Sequence, residues 1–185
     1  MEKEPDVTLS FWRDSVELPQ FTKLDEDIDT EVVVVGAGIV GIMNAYQLVL
    51  KGYDVTLIEG DKILSGTTKN TTARITAQQG ALYGQLSKQM DEKKARHYYD
   101  SQMAAIDEIE RLVSKHDINC DFKRLNSVMY AVYEDSIKDL EKEADVYKSL
   151  GIDGYLSKGE LKLPFETVAE LVMKNQAEFH PLKLR

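Results

Sequence analysis

The chain has 185 residues, 43% hydrophobic and 30% charged, with a formal net charge of −9, the balance of a globular protein able to bury a core. That acidic excess leaves no basic patch to neutralise phosphates and argues against nucleic acid or an anionic membrane as partner. One cysteine, Cys120, rules out an internal disulfide, and residues 1–6 are charged where a secretory leader would be apolar, so a cytoplasmic protein is expected.

Residues 1–30 read as an irregular arm, broken by Pro5, Pro19 and the acidic run Asp25-Glu26-Asp27. Within it, Phe11-Trp12-Arg13 has the character of an anchor packing onto the body, with gating of a substrate as the alternative role for Trp12. Residues 32–35 are four consecutive valines, as a buried parallel strand requires. The turn Gly36-Ala37-Gly38-Ile39-Val40-Gly41 follows, and then Ile42, Met43, Ala45, Leu48 and Leu50 at helical spacing. This is the G-x-G-x-x-G pattern between a strand and a helix, where backbone N–H groups and the positive helix end converge on a diphosphate. The stretch 32–50 approaches membrane-spanning length, but Asn44, Gln47 and three glycines interrupt it.

A second strand, residues 54–59, ends at Glu59-Gly60, with Glu59 eighteen positions beyond Gly41. A carboxylate there can accept hydrogen bonds from an adenosine ribose and repels a 2′-phosphate, which disfavours NADP. The bland alternative is a glycine-rich packing turn that holds no nucleotide. Residues 66–80 carry five threonines, among them Thr67, Thr68 and Thr72, together with Arg74. Hydroxyls and a guanidinium at this point suit contact with phosphate or flavin, and threonines capping a helix N-terminus are the competing explanation.

One long helix is expected over residues 84–116, with Ala95, Tyr99, Met103, Ile106, Ile109 and Val113 on one face. Residues 120–133 then read as a β-hairpin turning at Asn126-Ser127, and 135–150 as a helix closed by Gly151. Residues 171–173 look like a strand, and His180-Pro181-Leu182-Lys183 like the start of a helix that the chain does not continue. A helix so short cannot stand alone, so the chain is expected to be a fragment of something longer.

No metal site is expected, because His116 and Cys120 lack a third ligand. There is no G-x-S-x-G elbow and no P-loop lysine. The many helical carboxylates read as solvated faces, and no acid–base pair or other catalytic residue is nominated.

Together the 32–41 turn, Glu59, the 66–78 loop and Val128-Met129-Tyr130-Ala131 resemble the flavin-dependent D-amino-acid oxidase superfamily, of glycine oxidase and sarcosine oxidase type. Phe11-Trp12-Arg13, Gly66-Thr67-Thr68, Asn175-Gln176-Ala177 and Phe179-His180-Pro181-Leu182-Lys183 further resemble bacterial members that carry a C-terminal Rieske [2Fe–2S] domain. The resemblance implies an α/β fold: a Rossmann-like FAD-binding domain of glutathione-reductase type, followed by the start of an antiparallel-sheet substrate domain. It divides the chain into an arm (1–30), a FAD-binding part (31–116), the start of a substrate domain (117–174) and a return towards the FAD domain (175–185).

The resemblance further implies that Gly36, Ala37, Gly38, Ile39, Val40 and Gly41 line the FAD pyrophosphate, with Glu59 and Gly60 at the adenosine ribose. Thr67, Thr68, Thr72 and Arg74 would lie along the pyrophosphate–ribityl–flavin stretch. The activity implied is that of a flavin-dependent oxidoreductase acting on an amine or amino acid, complete only in a longer protein and absent from this stretch alone. A [2Fe–2S] cluster would enter only with a further domain, since the two cysteines and two histidines it needs are not here. Two rival readings remain: part of an NAD-dependent dehydrogenase, and a folded chain that binds no cofactor.

Overall fold

The computed structural model describes residues 10–184. The charged run at residues 1–6, on which the argument against a leader rests, lies outside them, as does Arg185. Contacts divide the chain into two compact units. Among the described residues the first comprises 10–73, 117–120 and 180–184, and the second 74–116 and 121–179.

In the first unit a short helix α1 (Phe11–Asp14) precedes strand β1 (Val32–Val35), helix α2 (Ile39–Leu50) and strand β2 (Val55–Ile58). The two strands pair in parallel, Val32 opposite Val55 through Val35 opposite Ile58. This is the expected β-α-β unit. The valine run is not buried on both faces, however: Val32 and Val34 are half-buried while Val33 and Val35 are 52% and 79% exposed. A two-stranded sheet with one helix has one covered face, so alternate side chains point to water. A 3-10 turn, Thr67–Asn70, follows β2.

The second unit is an antiparallel sheet with helices packed on one face. Strand β6 (Ala169–Glu178) is its centre, with β4 (Lys123–Ala131) along one edge. The other edge is shared by β3 (Arg74–Ile75) and β5 (Gly154–Ser157). Helices α3 (Tyr83–Gln89), α4 (Glu92–Lys115) and α5 (Ile137–Leu150) supply Tyr83, Tyr99, Leu140 and Tyr147 to a core completed by Leu171 and Met173 of β6. Tyr83 Oη donates to Ala77 O at 2.8 Å, and burial pushes the Tyr83 and Tyr147 phenols above their ordinary pKa. Gly151 ends α5 in the left-handed conformation, as expected.

Three expectations are corrected here. The helix over 84–116 is two helices, because Asp91 caps a new one, its carboxylate accepting the Lys94 N–H at 2.7 Å. The hairpin over 120–133 is one continuous strand, β4, whose partner is β6. Around Asn126 the register jumps from Leu125–Gln176 to Ser127–Met173, so one residue of β4 opposes Lys174 and Asn175 of β6. That is a β-bulge, and Asn175, not Asn126, takes the positive φ of 59°. Residues 180–183 form a turn closed by Lys183 N–H donating to His180 O, with no helix assigned. Among the described residues no helix is long and apolar enough to cross a membrane.

Candidate functional site

Strand β1 delivers the chain into the glycine turn while still tied to β2, since Gly36 N–H donates to Ile58 O at 2.7 Å. The backbone then swings to φ +99° at Gly36, a conformation that an L-residue resists. A Cβ at Gly41 would lie 1.9 Å from the Gly36 carbonyl oxygen, so α2 can leave the turn at this angle only without a side chain there. Gly38 differs. The nearest heavy atom to a Cβ there is Thr68 Oγ1, at the ordinary contact distance of 3.5 Å. The protein alone does not demand glycine at position 38, but a group lying against the backbone from outside would.

The first-turn amides of α2 have no partners from a preceding helical turn, and its N-cap, Gly38, offers no side chain to them. Thr68 Oγ1 reaches across to accept the Ile39 N–H at 3.2 Å. On the other side of the turn, Glu59 Oε2 accepts the Ala37 N–H at 2.8 Å and Oε1 accepts the Asp61 N–H at 3.1 Å. The Ala37 bond foremost, then the Asp61 bond, holds the Glu59 carboxyl below its ordinary pKa. The acid expected at the end of the second strand is thus seated on the glycine turn, its remaining lone pairs available to hydroxyl donors.

The structure brings Gly36, Ala37, Gly38, Ile39, Val40, Gly41, Glu59, Gly60 and Thr68 together around one turn. Thr67 and Thr72 are exposed on the adjoining loop. Arg74 is exposed at the start of β3, paired opposite Glu178, and belongs to the second unit. Trp12 packs as the anchor expected of it, its indole N–H donating to Thr71 O at 2.8 Å. That loop partner was not legible, because a backbone carbonyl carries no residue signature. Glu143 also departs from the solvated-face reading. It is 3% exposed and accepts the Tyr83 and Gly84 N–H groups at 2.8 and 2.9 Å, capping α3. Glu170, fully buried, likewise accepts from the Thr167 hydroxyl and the Gly159 N–H.

A parallel β-α-β unit, a glycine turn with no room for a Cβ at its third glycine, and an acid at the end of the second strand define a dinucleotide-binding protein. The profile of the FAD dependent oxidoreductase family, DAO, matches residues 31–184, and the chain belongs to that family. Membership sets aside the NAD-dependent dehydrogenase reading. A Bacillus subtilis (strain 168) protein named as a Rieske 2Fe-2S iron-sulfur protein, YhfW, is 38% identical over 174 residues, 94% of this chain and 34% of the relative. The fold is similar to L-amino acid deaminase from Proteus vulgaris, with a TM-score of 0.68 at 18% identity, over 90% of this chain and 38% of that one. It is also similar to glycine oxidase from Bacillus cereus ATCC 14579, with a TM-score of 0.61 at 17% identity, over 84% and 41% of the two chains. The chain therefore spans 34–41% of the length of these proteins.

Proposed function

We propose that the glycine turn and Glu59 hold the adenosine–pyrophosphate half of FAD, within a flavin-dependent oxidoreductase acting on an amine or amino acid. The observation that carries this reading is the contrast between two glycines. Gly41 is required by the protein's own packing, whereas Gly38 has space that the protein does not use. The residues fit the group: a cradle of backbone N–H groups for the diphosphate and a carboxylate for the ribose hydroxyls.

In this reading the amides of Gly38, Val40 and Gly41 donate to phosphate oxygens at the positive end of α2. Glu59 keeps its two backbone donors and accepts the ribose hydroxyls on its other lone pairs. Thr68 fixes the start of α2, and Thr67 and Thr72 donate singly from the loop. When bound, FAD supplies the capacity to accept a hydride, which no side chain has. The second unit's antiparallel sheet is read as the beginning of the substrate domain. A Rieske cluster as electron acceptor is supported by the name of the Bacillus subtilis relative. A cytoplasmic location is supported by the solitary cysteine.

Titration of the chain with FAD, followed by quenching of flavin fluorescence, tests the site. Saturable quenching that Gly38→Ala weakens is the expected result. No quenching, and no rise of the thermal midpoint with added FAD, would favour a folded chain that holds no cofactor.

A further inference from the structure

We propose that the N-terminal arm is a positioning element of the cofactor site, with Trp12 holding the threonine-rich loop against the glycine turn; the role in cofactor binding rests on the FAD reading above. The family match begins at residue 31, so the arm precedes the matched region. Two of its side chains, Trp12 and Ser15, nonetheless bond to residues of the first unit beyond the arm. Trp12 Nε1 donates to Thr71 O at 2.8 Å across 59 positions of sequence. The indole stands edge-on to the His180 ring, with centroids 5.0 Å apart. Ser15, at the end of α1, places its Oγ 2.8 Å from His180 Nε2. His180 is 4% exposed, and its backbone N–H donates to Cys120 O at 2.6 Å. Through Trp12 and Ser15 the arm is therefore anchored on a buried residue and reaches from there to the loop at Thr71.

That loop touches the site. Thr71 ends the 3-10 turn Thr67–Asn70, and its hydroxyl accepts the Ala73 N–H at 3.2 Å, so both its carbonyl and its side chain are engaged. Thr68, inside the same turn and 7% exposed, accepts the Ile39 N–H and stands beside Gly38. A line of contacts thus runs from the Trp12 indole through the Thr71 carbonyl and one 3-10 turn to Thr68 and the start of α2. A loop tied by so few hydrogen bonds opens at low free energy. Holding it closed beforehand spares the ligand the ordering cost. Packing of the ring alone would secure the arm without affecting Ile39; the indole N–H is what reaches the loop.

The test separates those two roles. Trp12→Phe keeps a ring on His180 and removes the N–H, and Thr68→Val keeps the shape and removes the acceptor. Amide hydrogen exchange is measured on the ligand-free 185-residue chain and FAD affinity by fluorescence titration. Each variant is expected to speed exchange at Ile39 by about fivefold to tenfold, the worth of one hydrogen bond, and to weaken FAD by a similar factor. The double variant is expected to be no worse than the weaker-binding single one, because both act through one contact line. Exchange at Leu171, in the second unit's core, should not change. Should Trp12→Phe fail to fold, Ser15→Ala loosens the same anchor and is expected to speed exchange at Ile39 to a smaller extent. Unchanged exchange at Ile39 in whichever of these variants folds, or factors that multiply in the double variant, would overturn the proposal. Faster exchange at Ile39 in a chain that binds no FAD would sink the FAD reading and leave the arm as the element that holds the turn.

Discussion

At the scale of single residues, the three glycines of the turn are not equivalent. A Cβ at position 41 would meet the Gly36 carbonyl oxygen at 1.9 Å, a backbone atom that cannot swing away. Gly41→Ala is therefore expected to cost about 1–3 kcal/mol of stability or more, as overpacking does, measured by denaturant midpoint. Gly38→Ala meets only Thr68 Oγ1 at 3.5 Å and is expected to cost about 1 kcal/mol, the penalty for alanine at an N-cap. Its effect should fall on FAD, with affinity lowered about tenfold or more by the methyl group under the diphosphate. Equal loss of stability in the two variants would contradict this division. Glu59 adds a pH dependence. Its folded pKa lies below the unfolded one, so its contribution to holding the turn is complete above the ordinary carboxylate range. That contribution is lost as pH falls through the lowered value, because protonation removes the charge that strengthens the bonds from Ala37 and Asp61 and leaves one oxygen a poor acceptor. Glu59→Gln should remove this acid-range step from the exchange rate of the Ala37 amide, and a step that persists would place its origin elsewhere.

At the scale of elements, the β-α-β unit was legible because every signal for it is local: a valine run, fixed glycine spacing and a helical period within one stretch. What was misread depends on partners distant in sequence. The alternation around Val128 and Tyr130 fits a hairpin arm as well as a long strand, and its partner β6 lies some forty residues on. Asn126-Ser127 has the composition of a turn, yet the left-handed residue is Asn175 across the ladder. The break before α4 carries a local signal, Asp91, four positions ahead of the apolar face that runs from Ala95 to Val113. Glu143 was obscured by its setting in a charged helix, and its role gives a prediction at this scale. It satisfies two backbone donors at the start of α3, one of them buried. Glu143→Ala leaves them without partners and is expected to destabilise the second unit by about 2–4 kcal/mol, with Glu143→Gln milder because its amide oxygen can still accept. Calorimetric melting distinguishes the two, and a neutral Glu143→Ala would show that water replaces the carboxylate.

At the scale of the whole molecule, the net charge of −9 sets how an anionic cofactor can be recognised. A protein that captures phosphate with lysine and arginine gains from long-range attraction and loses affinity steeply as salt is added. Under the proposed site the long-range field repels the ligand, and the groups offered to the diphosphate would be backbone amides at a helix end, effective only at contact. Screening shortens the repulsion, to a Debye length of about 10 Å at 0.1 M, while leaving donors at hydrogen-bond distance almost untouched. Raising the ionic strength from about 0.05 M to about 0.5 M is therefore expected to leave the FAD dissociation constant unchanged or to lower it by up to about threefold. The same titration under Gly38→Ala should start from weaker binding and keep the same salt slope, since the substitution changes contact and not charge. A tenfold or greater weakening with salt, on the order seen for charge-driven phosphate binding, would mean that cationic side chains dominate and that the glycine turn is secondary.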